Sequence, residues 1–473
     1  MRDSVLVHIN GVPHRFGADQ AFLTVARFLR YDARATGTKI VCEEGDCGAC
    51  TVLVGRREDG GLRYRPVNSC IQFLFQLDCA HVVTVEGLTR GGVLTPLQDS
   101  MVRCHGAQCG YCTPGFVMAM AGMFETNDQP SAADVRCALT GNLCRCTGYE
   151  SIIHAALDVT EQPKIEALYP SAPILAAIAE AEREPVRIGH FARPVSLEEA
   201  IAFKAEHPKA VIAQGATDFG VWSTKRNFVA EAVLSLDGVP GLGEMQIADG
   251  LLAVGGRVSL TQFEGVVREL VPEMRAIMDR FGSPQIKNAG TLAGNIANAS
   301  PIADTLPFLF VMDARLELTG LSGPRVVPIR EFYLGYKKLD LRADELITRI
   351  LIPLPAAGDT LRLYKISKRS HLDISSFTAA MLMQRDVTST GRGAIDSMRV
   401  IYGGVGPVVL QLRKTEEFLA GKPVTLETFA AAGEIARGEI APISDVRGSQ
   451  EMRLQLAENI FTKFYYDVIA VGA

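Results

Sequence analysis

Eight of the eleven cysteines in this chain fall into two sets of four, and that clustering constrains the fold more than any other feature. Cys42, Cys47, Cys50 and Cys70 follow C-x4-C-x2-C with a fourth cysteine downstream, the plant-type spacing of a 2Fe-2S cluster. Cys109, Cys112, Cys144 and Cys146 join a C-x2-C to a later C-x-C. Each set asks for a small, tightly turned unit around it, and two such units in one chain imply a relay for electrons. A structural zinc is the alternative for either set. The x4-x2 loop argues against zinc in the first set, because zinc ligands come as paired knuckles. The second set, read alone, leaves it open. In Glu43-Glu44-Gly45-Asp46-Cys47-Gly48-Ala49-Cys50 the glycines let the backbone wrap an inorganic core and turn N–H groups toward sulfur.

The remaining Cys79, Cys104 and Cys137 read as buried small hydrophobes. An odd cysteine count, clustered thiols and a start without a charged, apolar leader predict a reducing cytoplasm. At 473 residues, 48% apolar and 21% charged, the chain is long enough for several globular domains. A net charge of −5 with both signs interspersed offers no basic stripe for nucleic acid and no polybasic run for a membrane. The apolar runs Phe116 to Phe124 and Leu306 to Met312 are too short to span a bilayer.

Residues 1–85 read as a small sheet-and-helix unit. Val5, Val7 and Ile9 alternate, Asn10-Gly11 supplies a hairpin turn, Val12 to Phe16 returns, Thr24 to Tyr31 is amphipathic, and Thr51 to Val54 is a third strand. Residues 86–164 read as helical. Thr113-Pro114 starts one helix, Ser131 and Asp134 cap a second, and Tyr149 to Val159 forms another. Cys112 and Cys146 are expected just before helices, where free N–H groups favour an anion. Residues 165–185 read as a linker with one short helix. In 186–360 no G-x-G-x-x-G occurs, which disfavours a Rossmann site. Instead Ala210 to Ala213 reads as a buried strand, Gln214 to Phe219 as a turn, and a helix opens at Trp222. A second run, Gly290 to Asp304, is rich in small residues and amides and permits close backbone approach to a ligand.

Three runs carry a resemblance: Glu44-Gly45-Asp46-Cys47-Gly48-Ala49-Cys50-Thr51, Gln108-Cys109-Gly110-Tyr111-Cys112-Thr113-Pro114-Gly115 and Gly141-Asn142-Leu143-Cys144-Arg145-Cys146-Thr147-Gly148-Tyr149. They resemble the cluster motifs of the xanthine dehydrogenase family of molybdenum hydroxylases. The resemblance implies a multidomain α+β chain: a β-grasp ferredoxin domain with a 2Fe-2S cluster, a helical-bundle 2Fe-2S domain, a vanillyl-alcohol-oxidase-like (PCMH-like) FAD domain, and a small α+β C-terminal domain over 361–473. It implies that Gln108 faces the pterin of a molybdenum cofactor. It also implies that Ile212, Ala213, Gln214, Gly215, Ala216, Thr217, Asp218, Phe219, Phe281, Thr291, Gly294, Asn295, Asp304, Ile347 and Lys365 line the FAD, with Asp304 on a ribose hydroxyl. Asp373 falls on the nicotinamide side in that comparison, and a surface-loop carboxylate is the other reading. Lys365, in Tyr364-Lys365-Ile366-Ser367-Lys368-Arg369, otherwise reads as a solvated surface lysine.

Single-chain members of that family continue into a molybdenum-binding region, whereas this sequence ends at Ala473. The resemblance therefore implies a separate large subunit that holds the molybdenum cofactor, an α2β2 heterotetramer, and purine chemistry on that partner. No catalytic acid or base for it is expected here. Electrons would pass through the two clusters to FAD and then to NAD. An aldehyde or N-heterocycle dehydrogenase subunit, an electron-transfer adaptor without flavin, and a zinc-stabilised module are the rival readings.

Overall fold

The computed structural model describes residues 1–89, 91–385 and 393–469; Arg90 and the parts of the predicted C-terminal domain at 386–392 and 470–473 lie outside them. Contacts divide the chain into two compact units. One comprises 1–240, 259–261 and 282–291, and the other 241–258, 262–281 and 292–473.

The first unit opens with a sheet of five strands: β1 Val5–Ile9, β2 Val12–Phe16, β3 Thr51–Glu58, β4 Gly61–Asn68 and β5 Ala80–Val83, in the order β2-β1-β5-β3-β4. Asn10 and Gly11 take positive φ (49° and 83°) in the tight turn joining β1 to β2. All five residues of β1 are buried, not only the alternating three. The strand lies between β2 and a parallel β5, and its two faces enter different cores, Val5, Val7 and Ile9 one and Leu6 the other. The amphipathic segment after it is a short helix, Val25–Arg27, capped by Thr24 and running into a π turn at Phe28–Asp32.

Helices follow. Thr113–Phe124 is apolar around its whole circumference, and Gly115 to Phe124 are all buried, as expected of a helix packed on every side. Pro96–Arg103 and Ala132–Ala138 begin at reciprocal caps, Thr95 with Gln98 and Ser131 with Asp134. The predicted linker differs from expectation. It holds two helices, Ile165–Leu168 and Ser171–Ala181. Ile165, Ile174, Ile178 and Ala181 are buried in one core with Leu6, Leu53 and Val117. Its alanine string favours helix, and the isoleucines recur at helical spacing.

The rest of this unit is a small sheet ordered Val186–Ile188, Phe191–Arg193, Val233–Leu234, Val211–Ile212. Its last strand leads to the helix Thr217–Arg226, which starts at Thr217 rather than at Trp222. Two buried arginines pin the chain start. Arg2 donates to both oxygens of Asp78 at 2.8 and 2.7 Å, and Arg193 lies 3.4 Å from the same carboxylate.

The second unit contains an antiparallel sheet ordered Met245–Ala248, Leu251–Gly255, Leu346–Pro353, Arg315–Gly320, Gly323–Pro328. A second antiparallel sheet, Thr360–Ile366, Phe377–Arg385, Ile395–Gly403 and Leu410–Gln411, shares a core with the helices Leu426–Glu439 and Gln450–Ile469. Among the described residues no helix is long and apolar enough to cross a membrane.

Candidate functional site

The first thiol quartet sits in a loop without regular structure between the π turn and β3. Glu43, Gly45 and Gly48 take positive φ (52°, 78° and 68°). A Cβ on Gly48 would collide with Gly141 O, so only glycine fits there. Asn68 Nδ2 donates to Gly45 O at 2.7 Å, Ser69 Oγ to Cys50 O at 2.6 Å and Thr51 Oγ1 to Gly48 O at 2.6 Å. Cys50 and Cys70 are buried and Cys42 and Cys47 half-buried. The thiols of Cys47 and Cys70, then the backbone N–H groups of Glu44 and Cys47, hold the Cys42 thiol low against its burial. Cys70 likewise holds Cys50 low. Cys47 and Cys70 are raised in return, each first by its hydrogen bond with Cys42.

The second quartet brackets the helix Thr113–Phe124. Cys112 stands just before it as expected. Cys146 does not precede a helix: Thr147 and Gly148 intervene, and Tyr149, at φ 72°, is the N-cap of Glu150–Leu157. Cys146 Sγ lies 3.7 Å from Cys109 Sγ, and Cys112 pairs with Cys144. Burial, then Cys144, pushes the Cys112 thiol up to about 12. Burial also opposes the Cys144 thiolate, but the Thr147 hydroxyl and the N–H groups of Thr147 and Cys146 outweigh it and lower its pKa. Those two N–H groups lie 3.5 and 3.4 Å from the sulfur. Gln108, Cys109 and Cys146 are exposed.

Among the described residues no group of three or more His, Cys, Asp or Glu side chains fits one metal ion. The first four thiols are linked in a run, 47 to 42 to 70 to 50, and the second four in two pairs, 109 with 146 and 112 with 144. Four thiols gathered this closely suit a two-iron core held by four thiolates. Of the three other cysteines, Cys79 is buried, but Cys104 is half-buried and Cys137 exposed, which corrects the expectation for those two. Cys137 lies on a helix of about two turns whose buried side is carried by Val135.

Of the predicted flavin-lining residues, the first unit holds 212–219 and Thr291. Here the chain leaves the strand, Ala216 takes a left-handed φ of 50°, and the helix begins with no side-chain cap. A helix N-terminus favours an anion such as a pyrophosphate. A Cβ on Gly215 would run into Ala289 O, so a side chain is excluded there. Gln214 is held at both ends, Nε2 donating to Asp237 at 2.6 Å and Oε1 accepting from Leu236 N at 3.2 Å. Phe219 is buried with Phe73, ring centroids 5.0 Å apart, and serves the core. Ala213 and Thr291 are buried, Ile212, Ala216 and Thr217 half-buried, and Asp218 is exposed in the first helical turn.

The second unit holds the others. Lys365 is buried, contrary to a solvated surface strand. Its Nζ donates to Asp304 Oδ2 at 2.6 Å and to Arg280 O at 2.9 Å. Ser375 donates to the other Asp304 oxygen. Burial raises the Asp304 pKa, opposed by Lys365 and Ser375. Asn295 accepts from Thr305 at 2.6 Å, Gly294 is exposed, Phe281 is half-buried, and Ile347 is buried on Leu346–Pro353. Asp373 accepts from Arg369 N at 2.9 Å. Burial opposes its charge, yet that bond and the Arg369 guanidinium lower its pKa. Two buried amides escaped the sequence reading, Asn142 and Gln285. Asn142 sat inside a motif read for its cysteines, and Gln285 in no motif.

Residues 84–157 match the [2Fe-2S] binding domain family, 185–355 the FAD binding domain in molybdopterin dehydrogenase, and 362–468 the CO dehydrogenase flavoprotein C-terminal domain. The chain is 27% identical to xanthine dehydrogenase 1 of Arabidopsis thaliana, over 97% of this chain and 39% of that protein. It is 28% identical to aldehyde oxidase 1 of Bos taurus, over 93% of this chain and 37% of the relative. It thus spans about two fifths of the length of these relatives. Among solved structures, quinoline 2-oxidoreductase from Pseudomonas putida 86 matches 59% of this chain and 96% of its own, at 28% identity and a TM-score of 0.54.

Proposed function

We propose that this chain, by its domain set the iron-sulfur and flavin portion of a molybdenum hydroxylase, is the small subunit of a bacterial-type xanthine dehydrogenase. In this reading a partner polypeptide holds the molybdenum cofactor and hydroxylates hypoxanthine and xanthine, and the two subunits form an α2β2 assembly in the cytoplasm. Cys109, Cys112, Cys144 and Cys146 would hold one 2Fe-2S cluster and Cys42, Cys47, Cys50 and Cys70 the other, each supplying one-electron transfer, while FAD exchanges single electrons for the hydride that NAD accepts. The chain's own residues seat these groups. The exposed Gln108, Cys109 and Cys146 present the outer quartet to a partner, and the buried Cys50 and Cys70 keep the inner one from solvent. Residues 212–219 and the Asp304–Lys365 pair are assigned to FAD, and Asp373 to the nicotinamide side.

The observation that carries the reading is the presence in one chain of two gathered thiol quartets followed by a flavin-domain match. The test is expression of this chain alone in cells that mature iron-sulfur proteins. It should bind iron, acid-labile sulfide and FAD, and oxidise NADH with an artificial acceptor, yet turn over no xanthine until the large subunit is added. Xanthine turnover by the isolated chain would refute the division of labour; zinc without iron would refute the clusters, and absence of a flavin band would leave only an electron-transfer adaptor.

A second reading, the same role in an aldehyde or N-heterocycle dehydrogenase, is favoured by near-equal identity to aldehyde oxidase and by the quinoline 2-oxidoreductase match. Substrate profiling of the co-purified complex separates the two.

A further inference from the structure

The loops that carry the two quartets touch through their backbones. Leu143 N, one residue before Cys144, donates to Cys47 O at 3.0 Å. Asn142 Nδ2 donates to Gly48 O, also at 3.0 Å. A carbonyl only accepts, so Nδ2 of Asn142 must face Gly48 and its Oδ1 must look for a donor. Gln285 Nε2 supplies it at 2.8 Å and also lies 3.3 Å from Thr51 Oγ1, which itself donates to Gly48 O. Gln285 is 1% exposed and Asn142 2% exposed, so no solvent competes for these bonds.

Gln285 belongs to the short helix Pro284–Ala289, within the segment that matches the flavin domain but in the same compact unit as both thiol loops. Its Oε1 is buried with no hydrogen-bond partner, which is unfavourable for an acceptor taken out of water. A buried amide satisfied at one end only is explained by what that end does.

We infer that Gln285 is a positioning residue for electron transfer between the two quartets. It fixes Asn142, and Asn142 fixes the Cys47 C=O···H–N Leu143 bond, which links Cys47 to Cys144 by covalent bonds and one hydrogen bond. One electron lost on the Cys144 side is gained on the Cys47 side. No covalent bond forms or breaks and no proton moves. The inference rests on the two-cluster reading above.

The test uses the full chain as Gln285→Leu and as Gln285→Met, neither of which can donate to Asn142. Iron, sulfide and FAD are assayed first. If the wild-type chain lacks iron and sulfide, the cluster reading itself has failed. In loaded protein fully reduced with dithionite, the variants should lose magnetic interaction between the two centres by electron paramagnetic resonance, while each centre keeps its own spectrum. In samples frozen at intervals after mixing with NADH, the inner centre should fill at the wild-type rate and the outer one more slowly. Unchanged interaction and unchanged filling in iron-loaded variants would overturn the inference. So would loss of iron from both variants, which would make Gln285 a scaffold residue only.

Discussion

Lys365 Nζ lies 2.6 Å from Asp304 Oδ2, with the lysine side chain 2% exposed and the aspartate 10%. Removing one member leaves the other charge buried and alone, which costs about 3–5 kcal/mol. Lys365→Met should therefore lower the unfolding midpoint of the chain and, if the pair seats FAD, the flavin-to-protein ratio as well. Adding Asp304→Asn should restore part of the stability. A single variant as stable as wild type would refute the pairing.

A similar argument applies at the chain start. Asp78 is nearly fully buried between Arg2 and Arg193, and it also accepts from Leu6 N at 2.8 Å. Asp78→Asn should cost about 3–5 kcal/mol in urea unfolding; a loss under about 1 kcal/mol would show that the arginines find other partners.

His81 gives a pH dependence. Its Nε2 accepts from Gly11 N at 3.0 Å and its Nδ1 lies 2.7 Å from Tyr64 Oη, so the ring is neutral and Nδ1–H donates. Burial, with His8 nearby, depresses its pKa to about 4 from 6.5. The unfolded chain therefore takes up a proton first as pH falls. The stabilisation is whole above pH 6.5 and is lost progressively toward pH 4, by about 3 kcal/mol at most. Unfolding free energies measured across that window should fall for wild type and flatten for His81→Leu.

Gly48→Ala combines a positive φ with a collision against Gly141 O. The variant should mature with less iron at both quartets, because the displaced loop carries Cys47 and presses on the segment before Cys144. Iron and sulfide per chain decide the matter; full occupancy would mean the loops separate freely.

The thiol quartets were legible because spacing along the chain is itself the constraint. The hairpin and the helix caps were legible because their chemistry is local. The burial of Lys365 left no mark in its own stretch, because Tyr-Lys-Ile-Ser-Lys-Arg looks like a solvated strand and the partner lies 61 residues away; its assignment to the flavin came from the resemblance. The Gln285–Asn142 contact spans 143 residues and leaves no periodic trace. The early start at Thr217 was missed because the chain turns at Ala216, whose left-handed φ an alanine does not signal.

The backbone passes between the compact units at 240/241, 258/259, 261/262, 281/282 and 291/292. During synthesis all eight clustered thiols leave the ribosome before Gln285 does, the last of them by roughly 7–28 seconds at about 5–20 residues per second. The two thiol loops are thus made while the side chain that latches them has yet to be translated. Loop and latch are separated in time by nothing more than the order of the codons.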